Sequence, residues 1–327
     1  MSACGAAAWS SPFLNSKSLS AKRYKIHSGG ISVKVVLFVG GLGMRMRDGV
    51  SSGPKPMAMV GERPLLWHVM RYYAYFGHTD FVLCLGYGAS YVKDFFLHYD
   101  ETRSNDFVLE KGATEVKLFS RDISDWRITF VDTGLDSPIG ERLRRVRRFV
   151  EDEEIFMANY ADVLTNAPLP DVIRRFEAST AVAGLLAVPP QSSHHVVDVG
   201  DDGFITQVTP MRDLRQWENG GYFVLRPEIF EYLHEGEDLI EDAIMRLVPA
   251  GRVLAYPYKG YWSPADTVKE RAQLEEMYQR GNCPWMIWDA DRSAGVPEVG
   301  GSVDQGAAVL EADDQGGAPE SPRLVPA

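Results

Sequence analysis

Short apolar runs alternate along most of the chain with stretches of helical period, and the breaks between them fall at glycines, prolines or polar clusters. Residues 33–39 form a near-continuous apolar run, the pattern of a central parallel strand covered on both faces. A proline suited to a helix's first turn opens residues 64–76, and Gly77 stops them. A strand is expected at 81–85 and a helix at 90–98. Residues 100–126 are more polar and irregular, and read as an insertion. The alternation then resumes: strand 127–132, helix 141–150, strand 155–159, helix 168–178, strand 181–188.

Beyond residue 190 the texture changes. VVDVGDDGFITQV alternates on both sides of Gly200-Asp201-Asp202-Gly203, which is a hairpin signal rather than a crossover. Strands at 221–225 and 252–258 and helices at 239–247 and 267–278 complete the pattern. The fold class is therefore α/β: an open, mixed, mainly parallel sheet flanked by helices, with a hairpin-containing C-terminal half. Ligands of such sheets bind outside the carboxyl ends of the strands. The turn at Gly40, the segment after Asp132, and Asp162 all fall at such ends.

Composition narrows the classes. A net charge of −11 argues against a nucleic-acid surface, which needs a clustered basic face. Residues 1–31 carry Lys17, Lys22, Arg23 and Lys25 without an acid, and residues 293–327 carry six acids against Arg323 alone. Both segments read as disordered ends around a domain at 32–292. The first lacks the apolar run of about 7–15 residues of a secretory signal. No stretch reaches the roughly 18 apolar residues of a membrane span. The three cysteines, Cys4, Cys84 and Cys283, are far apart and fit a reducing cytoplasm. Cys84 reads as an inert core residue.

The candidate chemistry begins at Gly40. The turn is not GxxxxGK[ST], and a GxGxxG started at Gly41 and Gly43 fails at Met46. Even so, Gly40, Gly41 and Gly43 lack a Cβ, so backbone N–H groups can close on phosphate oxygens. Arg45 and Lys55 would supply countercharge. A tight strand–helix turn beside two surface cations remains the alternative.

Gly40-Gly41-Leu42-Gly43-x-Arg45 followed by Pro54-Lys55-Pro56-Met57 resembles the signature of sugar-phosphate nucleotidylyltransferases, and most closely the glucose-1-phosphate cytidylyltransferase branch. The similarity continues through LLWHVMRYY, LGYGASYVKDFF, DWRITFVDTG, ERLRRV, NYADVLTN, NGGYFVL, GYWSPADT and CPWMIW, covering roughly residues 33–290. It implies a nucleotide-diphospho-sugar transferase fold, Rossmann-like, and transfer of a nucleotidyl group from an NTP to a sugar 1-phosphate with release of pyrophosphate. CTP and α-D-glucose 1-phosphate are the implied substrates, Mg²⁺ the cofactor, and a homo-oligomer the state.

Residue by residue, the resemblance makes Asp162 and Asp266 metal ligands and gives Arg45 and Lys55 catalytic roles on the phosphates. Val39, Gly40, Gly41, Leu42, Gly43, Met44, Thr133, Gly134, Gly140 and Arg142 would meet the nucleotide. Asn219, Gly220, Gly221, Glu241 and Asp242 would meet the sugar. Structural alternatives stand beside these: helix capping for the aspartates, a bulge for the glycine pair, and a helix N-terminal charge for Glu241 and Asp242. The arginines of ERLRRVRR lie on several faces without aromatics and read as mostly solvated or at a subunit contact. Trp262, Trp285 and Trp288 read as packing residues, and His194-His195 lacks further ligands for a metal.

Three departures stand out. Met44 replaces a threonine, Ala161 and Val163 replace glycines around Asp162, and Thr209-Pro210-Met211 replaces a Glu-Lys-Pro element, with Arg212 a residue away. They leave open a nucleotide-sugar-binding regulator without turnover, or the same reaction with UTP, dTTP or GTP.

Overall fold

The computed structural model describes residues 32–41, 53–191 and 194–289. The expectations for residues 1–31 and 293–327, for Leu42, Gly43, Met44 and Arg45, and for the Arg212 side chain lie outside the described residues.

In chain order the elements are β1 (Val35–Phe38), β2 (Met59–Val60), β3 (Arg63–Pro64), α1 (Leu65–Tyr75), β4 (Asp80–Leu85), α2 (Ala89–Leu97), β5 (Phe107–Glu110), β6 (Glu115–Leu118), β7 (Arg127–Asp132), α3 (Ile139–Arg145), β8 (Phe156–Asn159), β9 (Val163–Thr165), α4 (Leu169–Glu177), β10 (Ala183–Val188), β11 (His195–Val199), β12 (Ile205–Pro210), β13 (Glu218–Leu225), α5 (Met245–Leu247), β14 (Val253–Pro257), β15 (Trp262–Pro264) and α6 (Val268–Gln279). Among the described residues the main sheet has seven strands in the order β14-β10-β13-β8-β1-β4-β7. β1 runs parallel to β4 and β8, β4 to β7, and β10 to β14. β13 alone is reversed, antiparallel to both β8 and β10. That reversal matters for function, because it brings the start of β13 to the edge where its neighbours end.

Side chains alternate across this sheet with the period of two that a pleated strand imposes. Val35, Leu37, Leu83, Met157 and Val224 join one core cluster, while Val36, Phe38, Cys84, Ala158 and Phe223 join the other. Leu66, Met70 and Val92 of α1 and α2, Phe176 of α4 and Leu274 of α6 cover the first face. Leu143 of α3, with Leu239, Ala243 and Leu247, covers the second. Strands buried on both faces are what the unbroken apolar runs require. Cys84 is fully buried, and burial pushes its thiol pKa up, as expected of an inert core residue.

Local differences from the sequence pattern have local causes. The helix expected over 141–150 is α3 followed by a one-turn 3-10 helix, Arg147–Phe149. The helix expected at 239–247 starts as a π-helix, Leu239–Ile244, with Asp238 capping the N–H of Ile240 at 2.8 Å. The irregular region at 100–126 contains the β5–β6 hairpin. Buried Arg63 ties this region to the body, donating to Asp100 O at 2.8 Å and pairing with buried Asp122 at 3.4 Å. None of the described helices is long and apolar enough to cross a membrane.

Candidate active site

A small ladder absent from the sequence reading aligns the two distant aspartates. β9 and β15 pair antiparallel, with Val163 opposite Pro264 and Thr165 opposite Trp262. Just past the ladder, the Ala265 N–H donates to Asp162 O at 3.0 Å. Asp162 and Asp266 therefore emerge side by side. Ala161, directly before Asp162, has φ +64° and is fully buried, and its N–H donates to Asn159 Oδ1 at 2.7 Å. The left-handed backbone costs an L-residue roughly 1–2 kcal/mol, which gives a glycine at this position a conformational purpose.

Lys55 opens a 3-10 turn, Lys55–Met57, held between Pro54 and buried Pro56. Its ammonium donates to Asp162 Oδ2 at 2.6 Å and pairs with Asp266 Oδ1 as well. The Lys55 and Asp162 side chains are 17% exposed, and Asp266 is half-exposed. Burial works to lower the Lys55 pKa, but attraction and hydrogen bonding from Asp162 and then Asp266 override it, and the pKa is raised. Burial also raises the Asp162 pKa, with the ammonium opposing it.

Two carboxylates thus converge on one cation. Oxygen donors that close together suit a hard divalent ion, whose remaining positions substrate phosphates and water fill. The described residues contain no group of three His, Cys, Asp or Glu able to hold a metal.

The pair sits in a cleft of about 990 Å³ whose walls include Val39, Gly40, Gly41, Asn219, Gly220 and Gly221. Gly41 faces open space, so its backbone is accessible. Gly40 is a glycine for a second reason: a Cβ there would run into the backbone of Gly86 and the Arg142 guanidinium. Gly221 has φ +75°, and a Cβ would come within 2.8 Å of the Tyr160 ring. The segment lines the cleft beside a register shift between β10 and β13, the irregularity that the bulge reading expected.

Thr133, Gly134, Gly140 and Arg142 fall outside the cleft wall. Thr133 is fully buried, donating through Oγ1 to Leu85 O at 2.8 Å. Gly134 has φ +85°, its N–H donating to Asp132 Oδ1 at 2.9 Å. Gly140 packs on the backbone of Glu237 and Asp238. Arg142 differs from the solvated position expected of this basic helix. It is 2% exposed and donates to Leu85 O, Thr133 Oγ1 and Leu135 O at 3.2, 2.9 and 3.0 Å. α3 buries Leu143 against the sheet, and that face carries Arg142 inward, while Arg144, Arg145 and Arg147 remain partly exposed. Glu241 and Asp242 occupy the first turn of the π-helix, where Asp242 Oδ2 accepts from Asp238 N at 2.8 Å, away from the cleft wall.

The sequence reading missed Tyr160 and Glu218, which line the cleft. Asn219 Nδ2 donates to the Tyr160 hydroxyl at 3.2 Å, and burial pushes that hydroxyl's pKa up to about 12. Tyr160 was visible inside NYADVLTN, one step before the backbone turns. Glu218 carried no signal, because only the reversal of β13 brings it to this edge. Trp262 does pack, with 8% exposed and Nε1–H donating to Gly220 O at 2.8 Å, and it lines the cleft too. Trp285 and Trp288 are buried packing residues.

A nucleotide-sized cleft at the strand ends, with a glycine wall and a carboxylate pair, agrees with what comparison with known proteins finds. The model of the nucleotidyl transferase family matches residues 34–270. The chain belongs to that family. A "probable glucose-1-phosphate cytidylyltransferase" of Bacillus subtilis is 32% identical over 258 residues, spanning 78% of this chain and all of that protein. The glucose-1-phosphate cytidylyltransferase of Salmonella typhimurium is 29% identical over 262 residues, with 79% and 100% coverage. Among solved structures, the UTP-bound UGPase of Acinetobacter baumannii superposes with a TM-score of 0.55 at 18% identity, covering 82% of this chain and all of that one. That likeness shows a shared fold. As a nucleotidyl transferase, the chain is an enzyme of the class that makes nucleotide sugars.

Proposed function

We propose that this nucleotidyl transferase uses CTP and α-D-glucose 1-phosphate to make CDP-glucose and pyrophosphate, in the cytoplasm and with Mg²⁺. The observation that carries the reading is the convergence of Asp162 and Asp266 on one cation beside the glycine wall. The names of the two relatives, both covered over their full length, support the choice of substrates.

The attacking atom is an oxygen of the sugar phosphate, already anionic near neutral pH because the second pKa of a phosphate monoester is about 6. It bonds to the α-phosphorus of the triphosphate while the bond to the β-phosphate oxygen breaks. No general base is needed, and the described cleft wall contains no histidine. Positioning and charge stabilisation then supply the acceleration. Lys55 neutralises phosphate at the reacting centre, Arg45 grips the triphosphate, and the Gly40 and Gly41 backbone lies along the nucleotide. Asn219, Gly220 and Gly221 bound the sugar. Asp162 and Asp266 would hold Mg²⁺, which supplies charge neutralisation on the phosphates when bound. Thr133, Gly134, Gly140 and Arg142 act from beneath the nucleotide by fixing the strand ends.

Self-association is part of this reading. The β11–β12 hairpin has an apolar face with Val197, Val199, Ile205 and Val208 all exposed, a surface suited to burial between subunits.

The test is pyrophosphate release by the full chain with each NTP, several hexose 1-phosphates and Mg²⁺. The fastest pair is expected to be CTP with α-D-glucose 1-phosphate, and absence of turnover with every pair would sink the reading. Asp162→Asn should lower kcat about a thousandfold with the circular dichroism spectrum unchanged.

A further inference from the structure

Lys55 stands where a cation is expected. Its ammonium bonds to Asp162 Oδ2 and to Asp266 Oδ1 at once, so each carboxylate presents an oxygen to the same nitrogen. The lysine's backbone is fixed: Met57 N donates to Pro54 O at 2.8 Å, Ala58 N to Lys55 O at 3.0 Å, and the Pro54 ring packs against Gly88. Only the flexible four-carbon stem is free to carry the charge elsewhere. A divalent ion held by the same two carboxylates would meet the repulsion of the ammonium, and like charges repel strongly in a partly buried setting.

We propose that Lys55 is the resident counter-ion of the divalent site. It competes with a free metal ion for Asp162 and Asp266, and it leaves them for the triphosphate when nucleotide and metal arrive together. The lysine would thereby couple the two uptakes, keeping the carboxylate pair neutralised until a polyanion offers the ammonium a better partner. The inference rests on the assignment of Asp162 and Asp266 as the metal-holding pair, and its test separates the two.

Mn²⁺ alone is titrated into the full-length wild type, Lys55→Met and Lys55→Gln, each also in an Asp162→Asn background, with free Mn²⁺ read by electron paramagnetic resonance. Both Lys55 variants are expected to bind Mn²⁺ about tenfold more tightly than the wild type, and Asp162→Asn to remove that gain. Two variants are used so that a folding defect in one leaves the other as evidence. Thermal unfolding is a second readout: the variants, left with two carboxylates facing each other, should gain more in Tm from added Mn²⁺ than the wild type does. Equal Mn²⁺ affinity in wild type and Lys55 variants, with weaker binding in Asp162→Asn, would overturn the counter-ion role and leave the metal pair standing. A gain in Lys55→Met that persists in the Asp162→Asn background would overturn both.

Discussion

In the cleft Asp162 and Asp266 share the ammonium of Lys55; behind Gly40, outside the cleft wall, the Arg142 guanidinium is buried among neutral acceptors. The acceptors of Arg142 are two carbonyls and a hydroxyl, and no described carboxylate pairs with it. Burial lowers its pKa, against the attraction of Asp132 and Asp136. The nearest acid in sequence is spoken for: Glu141 accepts from Arg144 Nε at 2.7 Å and Arg145 Nε at 2.8 Å. A buried charge without a counter-charge is costly unless its hydrogen bonds are met, and here three neutral acceptors meet them. The difference teaches that a cation beside the glycine turn can be held in two ways. Lys55 is held by two carboxylates, and Arg142 by two carbonyls and a hydroxyl.

The largest expected effect tests that cation. Arg142→Met should destabilise the fold by about 2–3 kcal/mol, since Thr133 Oγ1 and Leu135 O lose their guanidinium donor, while affecting inorganic tripolyphosphate binding much less, because the side chain lies outside the cleft wall. Calorimetry and denaturant unfolding measure the two. A loss of affinity without a loss of stability would show that Arg142 receives the anion itself and erase the contrast.

Next is Glu141. The hydrogen bond from Arg144, opposed by burial and reinforced by Arg145 and the Gly236 N–H, holds its pKa at about 2 instead of 4.5. A lowered carboxylate pKa stabilises the fold above the ordinary value and loses that contribution as pH falls through the shifted one. Glu141→Gln should therefore cost about 2 kcal/mol at neutral pH, after discounting for its partly exposed arginines. The gap to wild type should close between pH 4.5 and about 2. A gap independent of pH would show that Glu141 matters through packing.

The smallest effect lies at the carboxylate end. Ala161→Gly should raise stability by about 0.5–1 kcal/mol by relieving the left-handed backbone, net of glycine's larger entropy loss. Urea denaturation measures it. A decrease would mean that the Ala161 methyl packs more favourably than its φ costs.

Much of the scaffold was legible in advance, for a physical reason. A parallel strand buried on both faces must be apolar along its length, so β1, β4, β8 and β10 announce themselves as runs. The GDDG turn marked its hairpin because tight turns demand those residues. The β9–β15 ladder stayed hidden because strands this short carry no period to read. The same holds for burial: ERLRRVRR looks evenly basic, and only the docking of α3 separates buried Arg142 from the solvated arginines around it.

Of the candidate site, Lys55, Asp162, Asp266, Gly40, Gly41 and the Asn219-Gly220-Gly221 segment were found by motif, and they do meet at one cleft. Thr133, Gly140, Glu241 and Asp242 lie away from its wall, because a motif records which residues recur near a ligand and not how each one faces it. The sequence by itself determined the order of the main-sheet strands and the longer helices, the apolar runs that fill the core and the residue types available for phosphate chemistry, all of which follow from local periodicity and side-chain character. Tertiary structure alone decided that β13 runs backwards into the strand-end edge, that two remote aspartates share one lysine, and that a single arginine of a basic helix is sealed beneath the glycine turn. Those are consequences of long-range pairing and docking, which no short window of residues encodes.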